Sequence, residues 1–469
     1  MHTLLRHIRT YSQCCLAVLA VAACRSGVGG EEPLPETQAG FACRLTITTA
    51  AAPSTRGPQG GEDGDGRQYA WRRENKVTDA TLLLYRGDKG VNSAVSTPIE
   101  QAFYADHLTA TEDDVRHTIT YTTDVMQSEE RMADGQWHIL ILANLGDLTS
   151  WKGRTLGQLR EAHTTHLFTQ TDADDPSTAT DFVMTSENDA TVTLRGSSTE
   201  DNPNRITATI ERLAARIDFA PGNTSGGSDL QTTPLTLMLS DDTPVTLDRY
   251  YRYDVADAVT GQVTESGGDV FLLTHVTPFN LLTSGEYLLK RVQDVDGQVS
   301  YLGDETADDN HQATNWVLDP WTEQKTGSTF PDGLTYDHPE ATLDEETPLA
   351  VHAPDANNTD GTRSYYTLTY AAENTLFTNA PQANYATGLR LDGIYGKRNA
   401  DGTYKYFRKQ YTAYIRHADP LNAEAALPMK YGIVRNNIYR IYVNRFTQLS
   451  VSLIEVHPWQ VIYVPRVDM

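Results

Sequence analysis

Apolar residues in this chain fall in short runs or in strict alternation, with turn-forming residues between them. Phe41, Cys43, Leu45 and Ile47 alternate with Ala42, Arg44, Thr46 and Thr48, the period of a strand with one buried face. From Val77 onward such segments recur as ATLLLYR (80–86), WHILILANL (137–145), ITATIERLAARIDF (206–219) and DVFLLTHV (269–276). Hairpins are predicted where Asp294-Val295-Asp296-Gly297 and Asn399-Ala400-Asp401-Gly402 separate alternating runs. One helix is predicted to open at Thr155, whose hydroxyl caps free amides while Gln158 reaches back, with Leu156, Leu159 and His163 on one face. Near the carboxy terminus, NNIYRIYVNRF (436–446) and the alternation around Leu449, Val451 and Leu453 predict two more strands, broken at Pro458. Beyond the break, Val461 and Tyr463 lie on one side and Ile462 and Val464 on the other, so this end is apolar on both faces and must be covered.

These elements predict a mainly β protein, a two-domain β-sandwich with one or two short helices. A composition change at Asp201-Asn202-Pro203-Asn204 places the boundary there, within about ten residues, giving an N-terminal sandwich over 57–204 and a C-terminal one over 205–469. The polar stretch from Gly303 to Thr362 reads as a surface insertion of the second domain.

The first residues read as an address. Arg6 and Arg9 precede CCLAVLAVAA (14–23), an apolar run too short for the roughly 20 residues a spanning helix needs. Val21-Ala22-Ala23-Cys24 has the form of a bacterial lipobox, which makes residues 1–24 a lipoprotein signal peptide with Cys24 acylated; an ordinary cleavage site is the alternative. Residues 25–56 then form a propeptide carrying the first strand. It is followed by AAAPSTRGPQGGEDGDGRQ (50–68), a loop in which a trypsin-like protease could reach the Arg56-Gly57 bond. A cut there separates the strand of Phe41, Cys43, Leu45 and Ile47 from everything downstream.

Charge and chemistry narrow the function. With 38 Lys and Arg against 62 Asp and Glu, the net charge of -24 argues against nucleic acid or anionic lipid as the main partner. The four cysteines, Cys14, Cys15, Cys24 and Cys43, all precede residue 44, so neither a disulfide framework nor a cysteine metal site is expected in the body. No phosphate loop, zincin helix, nucleophile elbow or dinucleotide turn is present, and no catalytic residue, cofactor or metal ligand is assigned. His163 and His166 are spaced to share a helical side, but two imidazoles without further ligands read as a helix end. The DGDGR stretch (63–67) fails the calcium-loop pattern, and the acidic groups at Asp172, Asp174 and Asp175 and at Asp304, Glu305, Asp308 and Asp309 read as solvated loops. Arg86-Gly87-Asp88 spells an integrin-recognition tripeptide, yet it also reads as an ordinary strand end.

Taken in order, the lipobox at Cys24, the strand followed by Arg56, ILANLGDL (141–148), ERLAARIDF (211–219), AENT (372–375), IRHAD (415–419), YGIVRNNIYRI (431–441) and VHPW (456–459) resemble the type V fimbrillins of the Bacteroidales, in particular their minor-fimbrillin branch. That resemblance implies a transthyretin-like pilin fold and an outer-membrane lipoprotein precursor. It further implies cleavage by an Arg-specific protease and donor-strand exchange, in which Val461, Ile462, Tyr463 and Val464 of a neighbouring subunit replace the first strand. The partners implied are identical subunits, accessory tip and anchor proteins, the protease and the outer membrane, in a cell-surface fimbrium that supports adhesion. The apparent cut site and apolar end favour a shaft subunit over an anchor or tip. The competing readings are a monomeric surface lipoprotein that binds glycan or host protein, and a secreted hydrolase whose acidic pair spacing does not reveal.

Overall fold

Successive apolar residues in ATLLLYR and WHILILANL have a simple cause: the strands they form are covered on both faces. The computed structural model describes residues 40–49, 71–90, 93–113, 118–172, 175–186, 190–221, 229–256, 268–282, 284–287, 291–293, 299–301, 316–318, 346–359, 363–375, 387–415, 432–433, 435–447 and 451–458. The first sheet contains β1 (Phe41–Thr49), β2 (Ala80–Tyr85), β3 (Ile99–Ala105), β4 (Leu108–Asp113), β5 (Thr118–Thr123), β6 (Met126–Ser128), β7 (Gly135–Ala143), β8 (Met184–Ser186), β9 (Ala190–Leu194) and β10 (Asn204–Arg212). They pair in the order β3-β2-β7-β8-β10-β1-β5-β4, with β9 also on β7 and β6 on β1.

Leu82, Leu84, Ile139 and Ile141 of β2 and β7 face the main core. Leu83, Tyr85, Leu140 and Leu142 on the opposite face pack under Trp151, Leu156 and Leu159. The last two belong to helix α1 (Leu156–Arg160), which has the predicted capping box: Gln158 N donates to Thr155 Oγ1 at 3.3 Å and Thr155 N to Gln158 Oε1 at 3.1 Å. The helix is shorter than its pattern suggested. His163 already lies in a two-residue strand, His163–Thr164, paired with Gly285–Glu286, so it does not share a face with Leu156 and Leu159. His163 and His166 accordingly sit in extended and turn backbone, where their spacing no longer aligns the rings.

The second sheet contains β11 (Ala214–Ala220), β14 (Tyr251–Ala256), β15 (Val270–Phe279), β16 (Asp355–Thr359), β17 (Ser364–Ala372), β18 (Gly388–Arg398), β19 (Tyr404–Tyr414), β20 (Ile438–Thr447) and β21 (Val451–Pro458), with a separate hairpin of β12 (Leu235–Met238) and β13 (Pro244–Leu247). Its order is β16-β17-β11-β20-β14-β15-β18-β19, and β21 adds to β20. Phe271, Tyr411 and Phe446 meet at the centre of its core, with ring centroids 4.6 to 5.0 Å apart. The β12–β13 hairpin covers Leu272 and Ile394 on the outer face. The predicted hairpin of β18 and β19 is present, and Gly402 takes φ +86° in its turn, a conformation suited to glycine. The turn 294–297 of the other predicted hairpin lies outside the described residues, but Arg291–Gln293 does pair with Val299–Tyr301. The insertion expected over 303–362 also lies mostly outside them.

The chain passes from one sheet to the other at Leu213, between β10 and β11, within about ten residues of the composition change near Asn204. Asn204 itself begins the strand that lies beside β1. The apolar alternation runs unbroken through 206–219, so nothing local marks the crossing. The two cores also touch, since Ala214, Tyr370 and Ala372 pack into the first.

Candidate functional site: the seat of the first strand

β1 occupies the interior of its sheet. It runs parallel to β10 over seven residue pairs, from Cys43↔Asn204 to Thr49↔Ile210, and antiparallel to β5 and β6 on its other side. Phe41, Cys43, Leu45 and Ile47 point into the main core and are at most 1% exposed. The Phe41 ring lies 5.5 Å from that of Phe103. Burial of these four side chains supplies on the order of 6–10 kcal/mol. Burial also pushes the Cys43 thiol up to about 12, so it is inert where it sits.

Polar side chains complete the seat, and these the sequence pattern did not single out. The Ser198 hydroxyl accepts from Ala42 N and donates to Ala42 O, both at 2.8 Å. Asn204 Nδ2 donates to the same carbonyl at 3.3 Å and to Ser198 Oγ at 3.0 Å. On the other flank Leu45 N donates to Thr123 Oγ1 at 3.1 Å. Where β1 enters, a Cβ on Gly40 would lie 2.2 Å from the Ser128 carbonyl oxygen, so only glycine fits.

A second buried constellation holds the chain at residues 71–75. Glu74 is 2% exposed and accepts from Arg216 Nη1 at 2.9 and 3.1 Å and from the Tyr370 hydroxyl. Arg216 also pairs with Asp218, and Asn358 Nδ2 donates to Asp218 at 3.1 Å. Arg212 Nε donates to the Glu74 carbonyl oxygen at 2.8 Å. Burial pushes the Glu74 carboxyl up, but Arg216 and Arg212 beside it, with the Tyr370 hydroxyl, more than offset this and hold it below its ordinary value. Residues 71–75 are thereby tied to β10, β11 and β17. One signal was available: Arg216 and Asp218, two positions apart, are charges in a strand buried along its whole length, a pattern that calls for ion pairing. Similarly, Glu373 of AENT binds Arg435 of YGIVRNNIYRI at 3.1 Å.

The other candidates scatter. Arg86 of the Arg-Gly-Asp tripeptide is bound to Glu100 at 2.9 and 2.7 Å and stacks over Trp137, as a strand end would. Asp175 caps the short helical turn Pro176–Thr178. Among the described residues no group of three or more His, Cys, Asp or Glu could hold a metal ion. A cleft of about 1360 Å³ beside the second sheet is lined by residues that include Arg249, His275, His352 and Arg408. Cys24, Arg56, Gly57, Val461, Ile462, Tyr463 and Val464 lie outside the described residues, as do the acidic groups at 304–309.

Comparison with known proteins adds the following. Residues 402–462, from the β18–β19 turn past β21, match the family described as major fimbrial subunit protein type IV, fimbrillin, C-terminal. The match covers 61 residues at the carboxy-terminal end of the chain. No curated protein matches it by sequence. Among solved structures, a candidate cell adhesion protein from Parabacteroides distasonis is similar at 12% identity and a TM-score of 0.46, over 90% of this chain and 98% of that one. The tip fimbrial protein Mfa3 from Porphyromonas gingivalis, with a C-terminal truncation, is similar at 11% identity and a TM-score of 0.38, over 89% and 98%. A fimbrial assembly protein from Parabacteroides distasonis is similar at 12% identity and a TM-score of 0.34, over 90% and 96%.

Proposed function

We propose that this chain is a structural, non-catalytic shaft subunit of a cell-surface fimbrium. It is exported as a lipoprotein acylated at Cys24, held at the outer membrane, cut after Arg56 by an Arg-specific protease, and polymerised by strand exchange. The observation that supports this best is the position of β1. It is an interior strand whose partners are remote in sequence, with Ala42 bonded to a residue 156 positions away and Leu45 to one 78 positions away. A cut between residues 49 and 71 would leave β1 in place by non-covalent contact alone.

Loss of β1 would expose an apolar trench and two rows of unpaired backbone groups on β10 and β5, and an added extended segment removes both costs. The segment proposed to fill it is the apolar Val461, Ile462, Tyr463 and Val464 of a neighbouring copy. It follows β21, which is engaged with β20 of its own chain up to Pro458. Identical subunits are therefore the main partners, with accessory tip and anchor proteins at the filament ends.

Cleavage of the full chain with an Arg-specific protease tests this. The product is expected to begin at Gly57, to release the β1 fragment and to form ladders that resist mild denaturant; deletion of residues 460–469 is expected to abolish the ladders. Polymers whose subunits retain β1 would overturn the reading.

A further inference from the structure

We infer that Ser198 and Asn204, seconded by Thr123, set the register of whichever strand fills the seat of β1. This rests on the strand-exchange reading above. Apolar pockets alone specify register weakly, because neighbouring pockets accept similar side chains. The Ser198 hydroxyl is more selective. It clips the N–H and C=O of one residue, Ala42, while Asn204 braces it from behind. Both are buried, at 7% and 5% exposure, and Asn204 is itself fixed by Arg195, whose N–H donates to Asn204 Oδ1 at 2.9 Å and whose carbonyl accepts from Asn204 Nδ2 at 3.0 Å.

In an extended strand the N–H and C=O of one residue point to the same side, and those of the next residue to the other. A slip of one residue therefore removes both groups from Ser198 and turns the apolar face outward. A slip of two restores the clip but moves each core side chain one pocket along, taking the aromatic ring away from Phe103 and bringing a side chain to the place where only Gly40 fits. The hydroxyl both donates and accepts, but Asn204 Nδ2 also donates to the clipped carbonyl, so a strand of opposite direction would set its N–H against that donor, and the pair selects polarity as well as position. It also rejects proline at the clipped position. The partner that fits is thus an extended segment of a second copy, clipped at a non-proline residue between Pro458 and Pro465.

The test uses the full chain cut after Arg56 and a fluorescent peptide of residues 40–49, whose uptake is followed by anisotropy. A peptide N-methylated at Ala42 loses the donor to Ser198 and is expected to bind about tenfold more weakly than the parent, the scale of one buried hydrogen bond. In the Ser198→Ala chain that ratio is expected to collapse to about one. In an N-methyl scan, a peptide of residues 456–469 is expected to show one position whose sensitivity depends on Ser198. An equal ratio in both chains would overturn the inference and leave strand exchange standing. Failure of the cut wild-type chain to take up either peptide would overturn strand exchange itself. Should Ser198→Ala not fold, Ser198→Gly in the same assay decides: a ratio near one supports the clip, and an unchanged ratio overturns it.

Discussion

The seat of β1 and the junction around Glu74 flank residues 50–70, where the cleavage is proposed, and opposite forces hold them. β1 is kept by apolar burial and backbone pairing, with a few polar clips; both can be supplied by another extended chain. The 71–75 segment is kept by a buried carboxylate between guanidinium groups from β10 and β11, a fit that no generic strand can reproduce. The difference teaches which side of a cut should leave: the upstream side is replaceable and the downstream side is not.

The strongest way to break this contrast is Arg216→Ala, which would remove the guanidinium that Glu74 and Asp218 share, leaving these buried carboxylates only weaker partners such as the Tyr370 hydroxyl and the Asn358 amide. It is expected to cost about 3–5 kcal/mol in urea unfolding. A pH dependence accompanies it. Glu74 is held below its ordinary value of 4.5, so its contribution is complete above that value and is lost as pH falls through the lower folded one. Glu74→Gln is expected to remove that part of the acid transition.

Next comes Leu45→Ala, which should cost about 2–5 kcal/mol in the intact chain and release β1 at least tenfold faster from the cut chain. The same variant should leave unfolding of the material that remains after β1 has gone unchanged, since the side chain leaves with the strand. Any effect on that remainder would show that β1 is not a separable part.

Cys43 reports the seat without disturbing it. In a chain that begins at Arg25 it is the sole thiol, and it is expected to resist a thiol reagent until β1 is released. Its folded value is raised above the ordinary 9.0, so its contribution is complete below 9.0 and fades as pH rises towards about 12, by about 1.4 kcal/mol per pH unit. Labelling of the cut chain should therefore accelerate across that range. Rapid labelling of the uncut chain at neutral pH would contradict the buried seat.

The smallest effect expected is that of Thr155→Ala, about 1 kcal/mol from loss of the α1 cap. The cap lies in the layer outside β2 and β7, away from both constellations, so β1 release should not change. A shift in release would mean that the seat responds to general destabilisation and that the contrast is too simple.

Much of this was legible in the chain because strand period and capping are local. The alternation of Phe41, Cys43, Leu45 and Ile47 announced a one-faced strand, Thr155 and Gln158 announced a helix start, and Asn399 to Gly402 announced a turn. Where signals ceased to be local, less was legible. Leu213 carries no mark of a crossing, because strands on either side of it bury apolar residues with the same period, so the composition change near Asn204 locates it only to within about ten residues. His163 kept helical spacing after the helix had ended.

Sequence alone therefore determined the β character, the acidic charge, the cysteine-free body and the fimbrillin motifs, each a property of neighbouring residues or of simple counts. Only the tertiary structure decided that β1 lies inside a sheet, that Ser198 and Asn204 clip Ala42, and that Glu74 meets Arg216. Those contacts join residues separated by 156, 162 and 142 positions, and which distant polar groups meet depends on how the sheets pack, a choice that no short-range pattern encodes.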